Sequence, residues 1–311
     1  MTADAWTAEF EELRPHLLAV GYRLTGTYAD AEDIVQDAWL RRQRTAEPIA
    51  DLRAWLTTVV SRLGLDTLRS ATHRRVSYVG EWLPEPVVTP VAGDDPLDIV
   101  VAGEEARFAA MVVLERLTPE QRVAFVLHDG FGVPFGEIAE VLGTTATAAR
   151  QLASRARRAV AAAPPPEAAE AHNEVAGRLM AALAAGDVDA VVALLHPDIT
   201  FTGDANRRAP TAPNVIRGPE KVARFLFGLA KRYGPNWQAG SQPVLINGEL
   251  GTYTPGAPAV DGYPELMPRI TAVTITDGRV AAVWDIANPD KFTASPLRRD
   301  LPTEPGRHPR S

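Results

Sequence analysis

Apolar positions recur at helical spacing through the first half of the chain and partly at strand spacing in the last third. Phe10, Leu13, Leu17, Val20 and Leu24 form one stripe, which predicts a helix over 8–24 that Gly26 ends. A second helix is predicted over 28–43. Ile34, Val35, Ala38 and Trp39 face inward, and Asp30, Glu32, Asp33, Gln36 and Asp37 face outward. Trp55, Val59, Leu63, Leu65 and Leu68 predict a third helix over about 52–70. The stripe then breaks at EWLPEPVVTPVAGDDP, whose prolines and acids predict an extended linker. Helical pattern returns near Glu104, and Thr118-Pro119-Glu120-Gln121 is a helix start. Three consecutive prolines within 161–171 mark a second linker. Beyond it come helices over 172–195, broken at Gly186-Asp187, and over 219–232. Strand-like runs follow or intervene at 199–201, 243–246, 251–254, 270–276 and 279–286, with Asp277-Gly278 as a two-residue hairpin turn. Helices with an antiparallel sheet predict an α+β unit. The chain therefore divides into 1–78, a linker 79–103, 104–163, a linker 164–171, 172–292 and a flexible tail 293–311.

Residues 134–160 carry the grammar of a helix-turn-helix. Pro134 suits a first helical turn, Ile138, Ala139 and Leu142 share a face, and Gly143 sits where a sharp turn needs positive φ. Ala149, Leu152 and Ala156 then point inward. Arg150, Arg155, Arg157 and Arg158 occupy the second helix, and no acid occurs from 144 to 160. Such a helix fits the DNA major groove; the plainer reading is a helical hairpin with a solvated basic face.

Charge sharpens this picture. The 311 residues carry a formal net charge of −7, which by itself argues against a general nucleic-acid binder. The charge is partitioned, however. Residues 53–75 hold Arg53, Arg62, Arg69, Arg74 and Arg75 against Asp66 alone, whereas 81–105 hold seven acids and no base. Two basic islands around an acidic connector predict DNA contacts from two modules. The absence of cysteine excludes disulfides and cysteine metal sites. An acidic start without an apolar signal core, and no apolar run of bilayer length, predict a cytoplasmic protein that does not enter membranes.

Three segments in order resemble the extracytoplasmic-function group of bacterial sigma factors. DAEDIVQDAWLR resembles the region-two helix that grips RNA polymerase. RAWLTTVVSRLGLDTLR resembles the promoter-melting helix that follows, and LTPEQRVAFVLHDGFGVPFGEIAEVLGTT resembles region four. The last part resembles a SnoaL-like domain of the cone-shaped NTF2-like fold. Trp82-Leu83-Pro84-Glu85-Pro86 and Asn288-Pro289-Asp290-Lys291 match motifs of sigma-J-like factors with this extension. The resemblance implies two all-α sigma domains plus an α+β extension. It implies a factor that binds core polymerase at the clamp and flap and recognises −10 and −35 promoter DNA. It further implies a monomer when free, with no cofactor or metal.

Residue by residue, it places Asp33, Gln36, Asp37, Leu40 and Arg41 on the polymerase. Arg44 and the exposed face Arg53, Thr57, Thr58, Ser61 and Arg62 would meet the −10 element. Thr145, Thr147, Arg150, Gln151, Ser154, Arg155 and Arg158 would meet the −35 element. The two motifs would join the extension to the sigma domains, with Lys291 meeting the connector's acids. Relatives often carry Asp-Gly-Gly-Gly-Lys where this chain has Asp204-Ala205-Asn206-Arg207-Arg208. His196, Asp204, Tyr253, Tyr263 and Asp285 are candidates to line a pocket for a small-molecule ligand in the extension. Two rivals stay open at this point: a one-component regulator with a ligand-sensing domain, and a DNA-tethered isomerase or cyclase.

Overall fold

The computed structural model describes residues 3–45, 47–74, 78–93, 95–161, 167–238 and 240–294. Arg75, residues 164–166 of the second linker and the tail from 295 onward, all given in the sequence reading, lie outside the described residues. Three helices open the chain: α1 (Ala3–Thr25), α2 (Tyr28–Arg44) and α3 (Leu52–Arg74). Gly26 ends α1 at φ 79°, and Thr27 caps α2 by accepting from the Asp30 N–H. Asp51 caps α3 through the Ala54 N–H. Gly21 lets α1 and α2 approach closely, since a Cβ there would lie 3.1 Å from that of Ala31.

The second helical unit holds α4 (Phe108–Leu114), α5 (Pro119–Phe125), α6 (Phe135–Leu142) and α7 (Ala146–Ala161). The Thr118–Gln121 capping box starts α5, and a single π-helical turn, Val126–Gly130, continues it. Pro134 is the cap of α6 rather than its first residue, and Gly143 takes the left-handed conformation at φ 63°. The two helical units share one core. Leu17, Leu24, Leu56 and Val60 of the first belong to the same buried cluster as Val123, Phe125, Ile138 and Ala153 of the second.

The extension contains α8 (Ala169–Ala185), α9 (Val188–Leu194), α10 (Pro219–Tyr233) and α11 (Pro235–Gln238). Helix α8 therefore begins inside the segment expected as linker. Six strands belong to this part: β2 (Leu195–Asp204), β3 (Ile216–Arg217), β4 (Gln242–Ile246), β5 (Glu249–Thr254), β6 (Arg269–Thr276) and β7 (Arg279–Ile286). They order β4-β5-β6-β7-β2-β3. The sheet is mixed rather than purely antiparallel, because β2 runs parallel to β7. Strands β2 and β7 are far apart in the chain, separated by β3, α10, α11 and the antiparallel run β4–β6, so no tight turn joins this parallel pair. Asp277 and Gly278, both at positive φ, turn β6 into β7.

The acidic connector supplies the seventh strand. It is extended as expected but not a solvated linker: Leu83 to Thr89 are buried. β1 (Val88–Thr89) pairs antiparallel with β4, Val88 opposite Ile246 and Thr89 opposite Leu245. One face of the sheet encloses an apolar core with α8, α9 and α10. The other packs Val244, Ile246, Ile270 and Ile286 against Leu83 and Val88 of the connector and Phe108 and Val112 of α4.

Candidate functional site

On α2, Asp33, Gln36, Asp37, Leu40 and Arg41 form one exposed stripe opposite the buried Ile34, Val35 and Ala38. Beside it lies a polar groove of about 400 Å³ between α1 and α2, bounded by Phe10, Arg14, Glu32 and Trp39. On α7, Thr145, Thr147, Arg150, Gln151, Ser154, Arg155 and Arg158 are all exposed, while Ala149, Ala153 and Ala156 face the core. Leu152 is half-buried against that core. Thr145 caps α7 by accepting from the Ala148 N–H at 3.2 Å. Arg150 lies over the Phe135 ring at 5.1 Å, and Arg157 pairs with Asp129 at 2.5 Å. The first positions of this helix are bare.

Helix α3 is different. Arg44 and Arg53 are exposed and Thr58 half-buried, but Thr57 and Ser61 are buried, contrary to the expectation of an exposed face. The cause is packing on a second side of the helix. The Thr57 hydroxyl lies 3.2 Å from His16 Nε2, and Ser61 donates to the Thr57 carbonyl at 2.6 Å. His16 meets the edge of Phe131, whose other contact is the Arg23 guanidinium at 4.8 Å. Burial, reinforced by Arg53 and Arg23, brings the His16 pKa down to about 4, so the ring is neutral at pH 7. Further along, Arg62 donates to the Glu140 carbonyl at 3.4 Å and Arg69 pairs with Glu120 at 3.0 Å. The second helical unit thus touches α3 through Glu140 and Glu120. A buried ion pair, Arg122 with Glu115 at 2.6 Å, sits at the same joint, where Arg122 also donates to the Arg23 carbonyl. A Cβ on Gly26 would collide with that Glu115 carboxylate.

The two short motifs meet. Lys291 Nζ is buried, bonded to the Leu83 carbonyl and to Asp204 at 2.5 Å, and lies 3.5 Å from the centre of the Trp82 ring. Its anionic partner is Asp204 of its own domain, not an acid of the connector, because Glu85 is already committed. The Glu85 carboxylate accepts from the Tyr28, Thr293 and Ala294 N–H groups, and its backbone bonds Gly26 and Tyr22. Pro84 and Pro86 are buried beside it. Thr293 and Ala294, expected to begin a flexible tail, are held there. Asn288 caps the turn Pro289–Lys291, and Asp290 pairs with Arg208 at 3.0 Å. Asn206 and Arg207 adopt positive φ, 43° and 59°, a conformation that glycine takes at lower cost.

The five pocket candidates do not converge. His196 lies at the surface, its ring nitrogen accepting from the Asp198 N–H. Asp204 is consumed by Lys291, the Leu83 N–H and Tyr78. Tyr253 packs in the cluster with Leu83 and Val88. Tyr263 lies over Gly234. Asp285 is buried, paired with Arg269 at 3.2 Å and accepting from Thr211 at 2.6 Å. An acid–base pair for catalysis is therefore not assembled from this set.

The sequence reading missed three residues of the joint: Asn247, Tyr22 and Glu249. Asn247-Gly248 is a hairpin-turn dipeptide, and such a tip is normally solvated, yet Asn247 is buried. Glu249 lies 3.7 Å from Arg107 and 3.6 Å from His172. Burial pushes its carboxyl up to about 7, with Arg107 opposing, while burial holds His172 below its ordinary value.

Comparison with known proteins places these parts in a family. Family models match sigma-70 region 2 over residues 10–74, sigma-70 region 4 over 107–160 and a SnoaL-like domain over 176–283. The chain is 67% identical over 309 residues to "ECF RNA polymerase sigma factor SigJ" of Mycobacterium tuberculosis, covering 98% of this chain and 99% of that one. This chain is an extracytoplasmic-function sigma factor. It is also 32% identical to "Probable ECF RNA polymerase sigma factor SigI" of the same species, over 96% and 98% of the two chains. The crystal structure of the M. tuberculosis factor SigJ superimposes with a TM-score of 0.83 at 66% identity, covering 94% of this chain and 99% of that one. No described helix is long and apolar enough to cross a membrane.

Proposed function

We propose that this sigma factor is closed when free and opens on core RNA polymerase. The observation that carries the reading is a contrast between two helices: on α7 Thr145, Thr147, Gln151 and Ser154 stand exposed, whereas on α3 Thr57 and Ser61 are buried and Arg62 and Arg69, though exposed, are bonded to Glu140 and Glu120 of the second unit. Polymerase takes the α2 stripe around Asp33 and Asp37 and draws the helical units apart. Region four then reads the −35 duplex with Arg150 and Gln151, and α3 is freed for the unstacked −10 strand. The extension acts as a regulatory clamp rather than an enzyme, holding region two, the connector and region four in one arrangement. The work is done in the cytoplasm, where the polymerase is.

Because the chain has no cysteine, an introduced pair can be bridged selectively. Arg69→Cys with Glu120→Cys, joined by a short bis-maleimide, should block open-complex formation with core polymerase. Binding to a −35 duplex should remain. Full run-off transcription by the bridged factor would refute the closed-state reading.

A further inference from the structure

A groove of about 500 Å³ runs along α10 on the extension. Lys221, Arg224, Gly228 and Arg232 follow one another at three- and four-residue steps, so they form a single stripe of the helix facing it. All three cations are exposed, and none makes an ion pair among the described residues. Phe225, Leu229 and Tyr233 supply the apolar floor, and Ile216 stands opposite.

Tyr233 is fully buried, and its hydroxyl has no hydrogen-bond partner. Behind its ring sits buried Arg269, held between Tyr233 and Trp237 with centroid distances of 6.0 and 5.3 Å. The Arg269 charge is balanced by Asp285, but its Nε is also without a partner. A buried polar atom left unpaired costs about 1–3 kcal/mol; of these two residues Tyr233 lines the groove and Arg269 lies behind it. The floor is electrically neutral, and the surplus positive charge lies on the α10 stripe.

We infer that this groove binds a small amphipathic organic anion: a carboxylate carried on an apolar or aromatic body. The head lies among Lys221, Arg224 and Arg232, and the body covers Phe225, Leu229 and Tyr233. Arg232, whose guanidinium lies 5.7 Å from the Tyr233 ring, is the exposed side chain that swings aside to admit it. The volume falls within the range of small-molecule sites, roughly 300–1,000 Å³. A nucleic-acid backbone is the weaker fit, since these cations rim a concavity with an apolar floor.

The test uses the full-length protein and the fluorescent anion 1-anilinonaphthalene-8-sulfonate, with decanoate as competitor. Decanol lacks the charge, and inorganic phosphate lacks the body. Gly228→Leu fills the groove from a helical position where an added Cβ meets no atom within 4 Å, so the fold is kept. We expect one saturable site, displaced by decanoate and at least about tenfold less well by decanol or phosphate. Gly228→Leu, and separately Lys221→Gln with Arg224→Gln, should each weaken the probe about tenfold with unchanged thermal unfolding. Tyr233→Phe should weaken it less, because the ring stays. Undiminished binding in Gly228→Leu overturns the site. So does equal competition by decanol, and displacement by duplex DNA would reassign the stripe to a nucleic-acid surface.

Discussion

The Asn247 side-chain amide donates to the Tyr22 hydroxyl at 2.8 Å, joining residues 225 positions apart. Asn247 comes from the β4–β5 turn of the extension and Tyr22 from α1. The same amide donates to the Ala106 carbonyl, and the Asn247 oxygen accepts from the Val87 N–H at 3.0 Å. One side chain thus binds region two, the connector and the start of region four.

Asn247→Ala should therefore be among the most damaging single changes in the joint. It strands the buried Val87 N–H and Ala106 carbonyl, at about 1–3 kcal/mol for each group left unsatisfied. Denaturant unfolding would measure the loss, and limited proteolysis between the domains should accelerate. A change below about 0.5 kcal/mol, the level of an ordinary surface substitution, would contradict the role given to Asn247.

Glu249 makes the joint sensitive to pH. Its folded pKa, about 7, lies above the ordinary carboxylate value. A raised pKa contributes stability at low pH, and this is lost as pH climbs from the unfolded value through about 7. Glu249 should therefore remove stability between pH 5 and pH 8, by at most about 3 kcal/mol, against the opposite trend that the lowered His16 and His172 impose. Glu249→Gln should abolish that loss, so the variant gains on the wild type as pH rises. Parallel slopes for the two proteins would show that Glu249 does not titrate there.

Asp33→Arg with Asp37→Arg should abolish binding to core polymerase while leaving the helical circular dichroism and melting temperature near wild type. Both carboxylates are exposed and opposite the buried stripe of α2. Normal affinity in the folded double variant would remove the α2 contact.

Arg150→Ala should alter −35 sequence preference, with about 1–3 kcal/mol of discrimination at one base position. Arg158→Ala should weaken all duplexes alike and reduce the salt dependence of binding. Identical sequence profiles for the two variants would misplace α7 in the groove.

Much of this architecture was legible because most elements bury one face. Ile34, Val35 and Ala38 declared α2, and Asp277-Gly278 declared the last hairpin, before any contact was known. Helix α3 was harder, since it is buried on two sides: Leu56, Val59 and Val60 form the apolar side, and Thr57 and Ser61 are buried beside His16 of α1, whose ring meets Phe131 of the second unit. A hydroxyl-bearing residue opposite an apolar stripe resembles a solvent-facing one, and only tertiary packing distinguishes them. The two-residue strands β1 and β3 have no periodicity to detect. The WLPEP and NPDK motifs were recognisable as a joint, but the partner of Lys291 was not, because Asp204 lies 87 residues from it in the chain.

Strand β1 changes what a deletion of the extension would mean. The strand lies in the sigma portion but takes its ladder partner from β4, and Leu83 and Val88 bury their side chains against the extension's sheet. Cutting the chain after region four would leave an unpaired, apolar edge, ready to stick to other chains. A shortened factor that fails in transcription would then reveal as much about clumping as about regulation. Point substitutions that loosen the seam while keeping both sides present are the cleaner instrument. For the same reason, the extension and the connector form a matched pair: exchanging the extension with that of a relative should succeed only when the stretch around WLPEP is transplanted with it.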